Sequence, residues 1–328
     1  MDSGYYPHTM ISAPVIILIG PTAAGKTALS LELARRFAGE IAGLDSMQVY
    51  RHMDIGTAKA TPEEQRQVPH HLLDLVNPDE EYHAARYVRD AIEVCRAIAA
   101  RGRLPLLVGG SGLYLRALQE GLFAIPANDE TVRAGLRERL KQEGRAVLFA
   151  ELAGMDPESA ARIHVNDTHR LLRALEILQA TGVSWTEHLR RQRPRPVFAR
   201  MLKIGLRHER NILYERINLR VQQMVDLGLL EEVEKLSGLG YGAELKPMQA
   251  IGYRHMLHFL SGAWSWDEAF SLLARDTRRY AKRQLTWFGG DADIHWVEPQ
   301  DRQAVFDRVA AFLDSEPLCN EKKRTETR

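Results

Sequence analysis

The sequence predicts an α/β fold: a P-loop-containing parallel sheet core flanked by helices, with an inserted all-helical domain. Three observations carry that expectation. A short β-branched run, Val15 to Ile19, stops at Gly20 and Pro21 and hands over to a helical pattern. Apolar strand-like runs and amphipathic helical runs then alternate as far as the glycine turn GGSG at 109–112. After Pro126 the pattern turns to helix only, until a strand-like run returns at Met201 to Leu206. Such alternation indicates a doubly wound sheet whose ligands gather at the carboxyl ends of its strands.

Taken in order, Leu29, Leu33 and Phe37 recur at helical spacing until Gly39 ends them. Ile41 to Leu44 reads as a second buried strand that delivers Asp45 to the sheet edge. From Ala84 to Ala100, Tyr87, Val88, Ala91, Ile92, Cys95 and Ile98 mark one helical face, with His83 standing where a serine-type cap is expected. LPLLV from Leu104 is the next strand. In the helical stretch, Asn128 or Asp129, Asp156 before Pro157, and Asp167 read as helix starts, and Gly182 as a stop. The proline-broken RQRPRPVFAR returns the chain to the sheet, and helices are expected at Arg210 to Ser237, Gln249 to Leu260 and Trp266 to Trp287. The expected division is 12–125 for the first part of the core, 126–197 for the insertion and 198–316 for the second part. The tail at 317–328, almost without apolar residues, is expected to be disordered.

Composition narrows the class. With 44 basic and 43 acidic residues the 328-residue chain carries a formal charge of +1, so attraction to nucleic acid must come from local clustering. Clusters exist: Arg170 with Arg173, five arginines from Arg190 to Arg200 with no acid among them, and Arg275, Arg279 and Lys282 along one helical face. Taken alone, such runs are more often solvated faces. Two cysteines, Cys95 and Cys319, are too few for a disulfide framework or a thiolate zinc site. The amino terminus lacks a basic segment followed by a long apolar run, and VIILIG is far shorter than a bilayer span. The expectation is a cytoplasmic protein without a membrane partner. His70-His71 and His255 with His258 read as core or surface histidines, since no thiolate or acidic pattern joins them.

The chemistry begins at Gly20, Pro21, Thr22, Ala23, Ala24, Gly25, Lys26 and Thr27, which fit G-x-x-x-x-G-K-[ST] between a strand and a helix. Glycines let backbone N–H groups close around an anion at the helix start, Lys26 supplies a cation, and the Thr27 hydroxyl can ligate Mg²⁺. The motif recognises two linked phosphates without specifying what is attached to them, and ATP is the commonest answer. Two absences weaken an ATP reading: no apolar strand ends in Asp-Glu, although Asp45 or Asp74 is available as a single acidic metal partner, and no arginine-rich lid is evident.

GPTAAGKT together with LDSMQVYRHMDIGTAKAT from Leu44 resembles the tRNA dimethylallyltransferase (tRNA isopentenyltransferase) family of bacterial type. Further matches follow in the family's order: VPHHLLD from Val68, LPLLVGGSGLYLRAL from Leu104, ARIHVNDTHRLLRALEI from Ala161, AIGYR from Ala250 and AKRQLTWF from Ala281. The resemblance implies an enzyme that moves a prenyl group from dimethylallyl diphosphate to N6 of an adenosine beside the anticodon, with Mg²⁺, as a monomer. It assigns the glycine loop to the donor's diphosphate, Asp45 to the base, and Arg220 to a further cation on the leaving group. For the tRNA anticodon stem-loop it implies contacts by Asp45, Ser46, Met47, Gln48 and Ser111, and, in the insertion, by Arg133, His169, Arg170, Leu171, Leu172 and Arg173. Near the carboxyl end it implies Gln249, Gly252, Tyr253, Arg254, Lys282, Arg283, Gln284 and Trp287, with Tyr253 and Trp287 as stacking surfaces. Where the family often has serine, threonine and arginine, this chain has Ala24, Ser111 and Gly289. The rivals are a P-loop kinase for a small metabolite and an RNA-binding nucleotide switch, both requiring ATP.

Overall fold

The computed structural model describes residues 10–121, 130–191 and 197–315, which fall into two compact units. The larger unit opens with β1 (Ile11–Ile19), α1 (Lys26–Arg36), β2 (Gly39–Leu44), α2 (Pro62–Gln67), β3 (His70–His71), α3 (Ala84–Ala100), β4 (Leu104–Gly109) and α4 (Gly112–Glu120). Helices only make up the other unit: α5 (Glu130–Glu143), α6 (Arg145–Met155), α7 (Pro157–Arg162), α8 (Thr168–Thr181) and α9 (Trp185–Arg191). The chain then returns to the first unit with β5 (Phe198–Leu206), α10 (Arg210–Asp226), α11 (Leu229–Gly238), α12 (Tyr253–Leu260), α13 (Trp266–Phe288), β6 (Ile294–Val297) and α14 (Arg302–Asp314).

The strands form one parallel sheet in the order β3-β2-β4-β1-β5-β6. Val15 through Ile19 are buried on both faces, as a central strand must be when helices cover both sides. Ile16, Leu18, Leu33, Ile204 and Val309 meet in the core on one side. The chain leaves β1 towards β2 on one side and leaves β4 towards β5 on the other, so a switch point lies between the neighbours β1 and β4. Ile19, Leu44 and Gly109 stand at the same level across the sheet. Their loops therefore leave from one edge. Gly109 is obligatory there, because a Cβ on it would lie 2.0 Å from the Leu44 carbonyl oxygen.

In the helical unit Leu136, Leu148, Leu152, Leu171 and Leu175 build a separate core. Asp156 caps α7 ahead of Pro157, Asp167 caps α8 by accepting from Arg170 N–H, and Gly182, left-handed at φ 67°, ends α8. The cap expected at Asn128 or Asp129 and the tail at 317–328 lie outside the described residues.

Three expectations need correction. The helix read from Arg210 to Ser237 is two, broken where Gly228 turns left-handed at φ 96°. The one read from Gln249 is a 3₁₀ turn at Pro247–Gln249 followed by α12, which starts after Gly252 at φ 99°. The strands β3 and β6 and the helix α14 had no counterpart in the sequence reading, and β3 and β6, of two and four residues, are too short to carry a period. His83 is itself the cap of α3, its Nδ1 accepting from Arg86 N–H at 3.2 Å. Among the described residues no helix is long and apolar enough to cross a membrane.

Candidate active site

The glycine loop follows β1 and wraps the start of α1. Gly25, left-handed at φ 93°, heads the helix, and no side chain caps it. The first-turn amides thus keep their positive end available to an anion. Gly20 is required because a Cβ on it would sit 2.6 Å from the Leu206 carbonyl oxygen of neighbouring β5. Lys26 Nζ donates to the carbonyls of Gly20 and Pro21 at 3.0 and 2.8 Å, lying across the loop. Thr27 is exposed on the first turn.

Beside this loop β2 ends at Asp45. Its Oδ1 accepts from Met47 N–H at 2.8 Å and Gln48 N–H at 3.4 Å. Burial pushes the Asp45 carboxyl up from its ordinary range, opposed by those two amides and by the charges of Lys26 and Arg220. Burial also pushes the Lys26 ammonium down to about 7, helped by Arg220 and opposed by Asp45. Arg220, from α10, is lowered by burial, against the pull of Asp45. Three groups far apart in the chain thus sense one another at the sheet edge. Each is partly reached by solvent yet hemmed in by protein, as in a cleft.

The sequence reading missed other members of this site. Arg216, one turn before Arg220, donates from Nε to the Ala23 carbonyl at 2.8 Å and adds a cation at the loop. The i, i+4 spacing of the two arginines on one helix was the available signal. Tyr280 on α13 and Tyr114 on α4 are both raised by burial, and both sense Asp45. Tyr114 stacks on fully buried Tyr87 with ring centroids 4.1 Å apart.

Around Asp45, Ser111 Oγ accepts from Ser46 N–H at 3.0 Å. Gln48 Nε2 donates to the carbonyls of Thr57 and Ala58 at 3.1 and 3.2 Å. Met47 is half-buried. On the exposed side of α13 stand Arg275, Arg279, Lys282, Arg283 and, at 40% exposure, Trp287. The Trp287 ring lies over Gly112, where a Cβ would come within 2.2 Å of it. Gln249 is exposed and donates to the Ala243 carbonyl.

Several expected RNA contacts have other employment. Tyr253 is fully buried: its ring covers Gly56 and its hydroxyl donates to Glu232 at 2.7 Å, so it offers no stacking face. Gln284 is buried, its carboxamide joined to Thr22 and Gly110. Arg254 pairs with Asp276, which also holds Arg275. Leu171, in the helical unit, is a core residue and Leu172 packs against that core, because α8 turns this face inward. Arg133 and Arg173 both bond Glu176, at 3.5 and 2.9 Å, while His169 and Arg170 are exposed. Arg193 and Arg195 of the arginine run lie outside the described residues. Of the histidines, His71 Nε2 pairs with Glu40 at 2.7 Å and His70 Nδ1 lies 2.8 Å from the Val68 carbonyl oxygen. Asp74, the alternative metal partner, is bonded to buried Lys59 at 2.6 Å.

Comparison with known proteins matches the IPP transferase family model over residues 48–291. The tRNA dimethylallyltransferase of Desulfotalea psychrophila is 52% identical over 306 residues, covering 93% of this chain and 98% of its own. The full-length tRNA isopentenylpyrophosphate transferase of Bacillus halodurans is 41% identical with a TM-score of 0.68, covering 92% of this chain and 97% of its own. A eukaryotic dimethylallyltransferase acting on tRNA is 27% identical with a TM-score of 0.80, over 94% of this chain and 82% of its own. A family match over residues 48–291 and relatives alike over nearly the whole chain make this protein a member of the IPP transferase family.

Proposed function

We propose that this protein transfers a dimethylallyl group from dimethylallyl diphosphate to N6 of an adenosine next to the anticodon, position 37, in tRNAs reading codons that start with U, and releases diphosphate. The observation that carries this reading is the convergence of Lys26, Asp45 and Arg220 at the carboxyl edge of the sheet.

An exocyclic adenine amine is a weak nucleophile because its lone pair is delocalised into the ring. A carboxylate that takes its proton as nitrogen attacks carbon lowers the barrier. Asp45 suits that role, since burial raises its proton affinity and the amides of Met47 and Gln48 fix its orientation. At the other end of the breaking C–O bond, charge grows on diphosphate. The uncapped start of α1, Lys26, Arg220 and Arg216 supply positive charge there. The residues fit Mg²⁺: Thr27, exposed on the loop's own helix, would offer it a hard oxygen ligand. When bound, Mg²⁺ would offset charge on the leaving group. Tyr114 and Tyr280 give the allylic carbons an apolar wall and keep water away from them. The protein is read as a monomer, and a tRNA substrate supports a cytoplasmic location.

The test is incubation with Mg²⁺, unmodified tRNA and either dimethylallyl diphosphate or ATP, followed by mass analysis of digested nucleosides. The expected result is a five-carbon gain on adenosine with the former only. ATP turnover without prenylated adenosine would instead favour a kinase or a nucleotide switch.

A further inference from the structure

We propose that Gln284 couples the two substrates, acting as a positioning residue through which tRNA on α13 changes the grip of the phosphate loop. The inference rests on the reading of α13 as part of the tRNA surface. This helix has two faces. Arg275, Arg279, Lys282 and Trp287 are exposed, whereas Leu273, Thr277, Ala281, Gln284 and Phe288 are buried.

In that buried stripe Gln284 Oε1 accepts from Thr22 N–H at 2.9 Å, inside the phosphate loop, and Nε2 donates to the Gly110 carbonyl at 3.0 Å. The fit is close: a Cβ on Gly110 would lie 2.2 Å from Nε2. Gly110 N–H and Ser111 N–H in turn both donate to the Leu44 carbonyl at 3.1 Å, one residue before Asp45. Ser111 Oγ accepts from Ser46 N–H on its other side. One carboxamide therefore ties the donor loop, the turn after β4 and the strand end bearing Asp45 to the inner side of a helix whose outer side is cationic.

A primary amide suits this place because it presents an acceptor and a donor together. Moving α13 away from the sheet would strand the half-buried Thr22 N–H and the buried Gly110 carbonyl, so the helix and both loops shift together. A polyanion that draws on the outer face of α13 must then alter the phosphate loop, and by reciprocity the donor's diphosphate must alter tRNA affinity by the same factor.

The experiment measures calorimetric binding of inorganic diphosphate, with Mg²⁺, to the full chain with and without saturating unmodified tRNA, a pair that cannot react. In the natural protein the two diphosphate affinities are expected to differ by about fivefold or more. In Gln284→Met, which keeps the volume but neither bond, the ratio is expected to fall to about one, whatever the separate affinities become. Gln284→Glu, which keeps the acceptor towards Thr22, is expected to fall between, and it decides alone if thermal melting shows Gln284→Met unfolded. A ratio of one in the natural protein, or a ratio unchanged in the variants, overturns the coupling. Failure of the natural protein to bind either ligand would instead overturn the proposed function.

Discussion

Asp45 in the sheet unit and Asp156 in the helical unit are both aspartates at an element's end, both hemmed in by protein, and their surroundings drive them in opposite directions. Asp156 accepts from Ser159 N–H and Thr186 N–H at 3.0 Å each and from Thr186 Oγ1 at 2.6 Å. Burial works to raise it, but the bonds from Thr186 and Ser159 outweigh burial and hold the carboxyl below its ordinary value. Asp45 receives two backbone amides, one of them long, and burial wins. A carboxylate whose lone pairs are filled by fixed donors holds a fold together. One left short of donors, with cations near, is set up to take a proton.

The contrast can be broken most decisively at Asp45. Asp45→Asn should lower the single-turnover rate of prenyl transfer by about 10²–10⁴-fold while tRNA affinity holds; a rate near normal would remove Asp45 as base. Asp156→Ala should do the reverse, lowering unfolding free energy by about 2–4 kcal/mol through a lost cap and stranded donors at Thr186, measured by denaturant titration, with diphosphate binding unchanged.

Acidity sharpens the same contrast. The stability that Asp156 contributes is present above the ordinary aspartate range and is lost as pH falls through its depressed value. The burden that ionised Asp45 places on the fold appears as pH rises from the ordinary range through its raised value. Melting curves across the acid range should therefore flatten in Asp156→Asn and, in Asp45→Asn, lose a fall in stability with rising pH. A smaller effect is expected at Lys26. Its ammonium, pushed down to about 7, should regain a proton when diphosphate binds. Affinity should weaken as pH rises through neutrality, by at most about tenfold per pH unit, with proton uptake read calorimetrically in two buffers.

Much of this was legible in the sequence because local rules governed it. Asp45 ends a short apolar run, the glycine loop carries its own spacing, and Asp156 before Pro157 announces a helix start. The rest depended on which helix faces which strand. Nothing near Asp156 in sequence points to Thr186, thirty residues on, and no local pattern brings Tyr280 to Asp45 or turns Gln284 inward. The inward placing of Tyr253 and Leu171 was illegible for the same reason: an aromatic or aliphatic residue within a basic segment has no label saying which side of its helix it occupies. Arg220 was legible only through family resemblance.

The shared level of Ile19, Leu44 and Gly109 has a consequence for engineering. Loops rooted on a common rung inherit the spacing of the ladder, about 4.8 Å per strand, so the gap between the phosphate loop and Asp45 is set by backbone pairing and will not stretch to suit a bulkier reagent. On the proposed function, longer isoprenoids would have to be admitted by trimming Tyr114 and Tyr280, both of which sense Asp45, with the rung itself left alone.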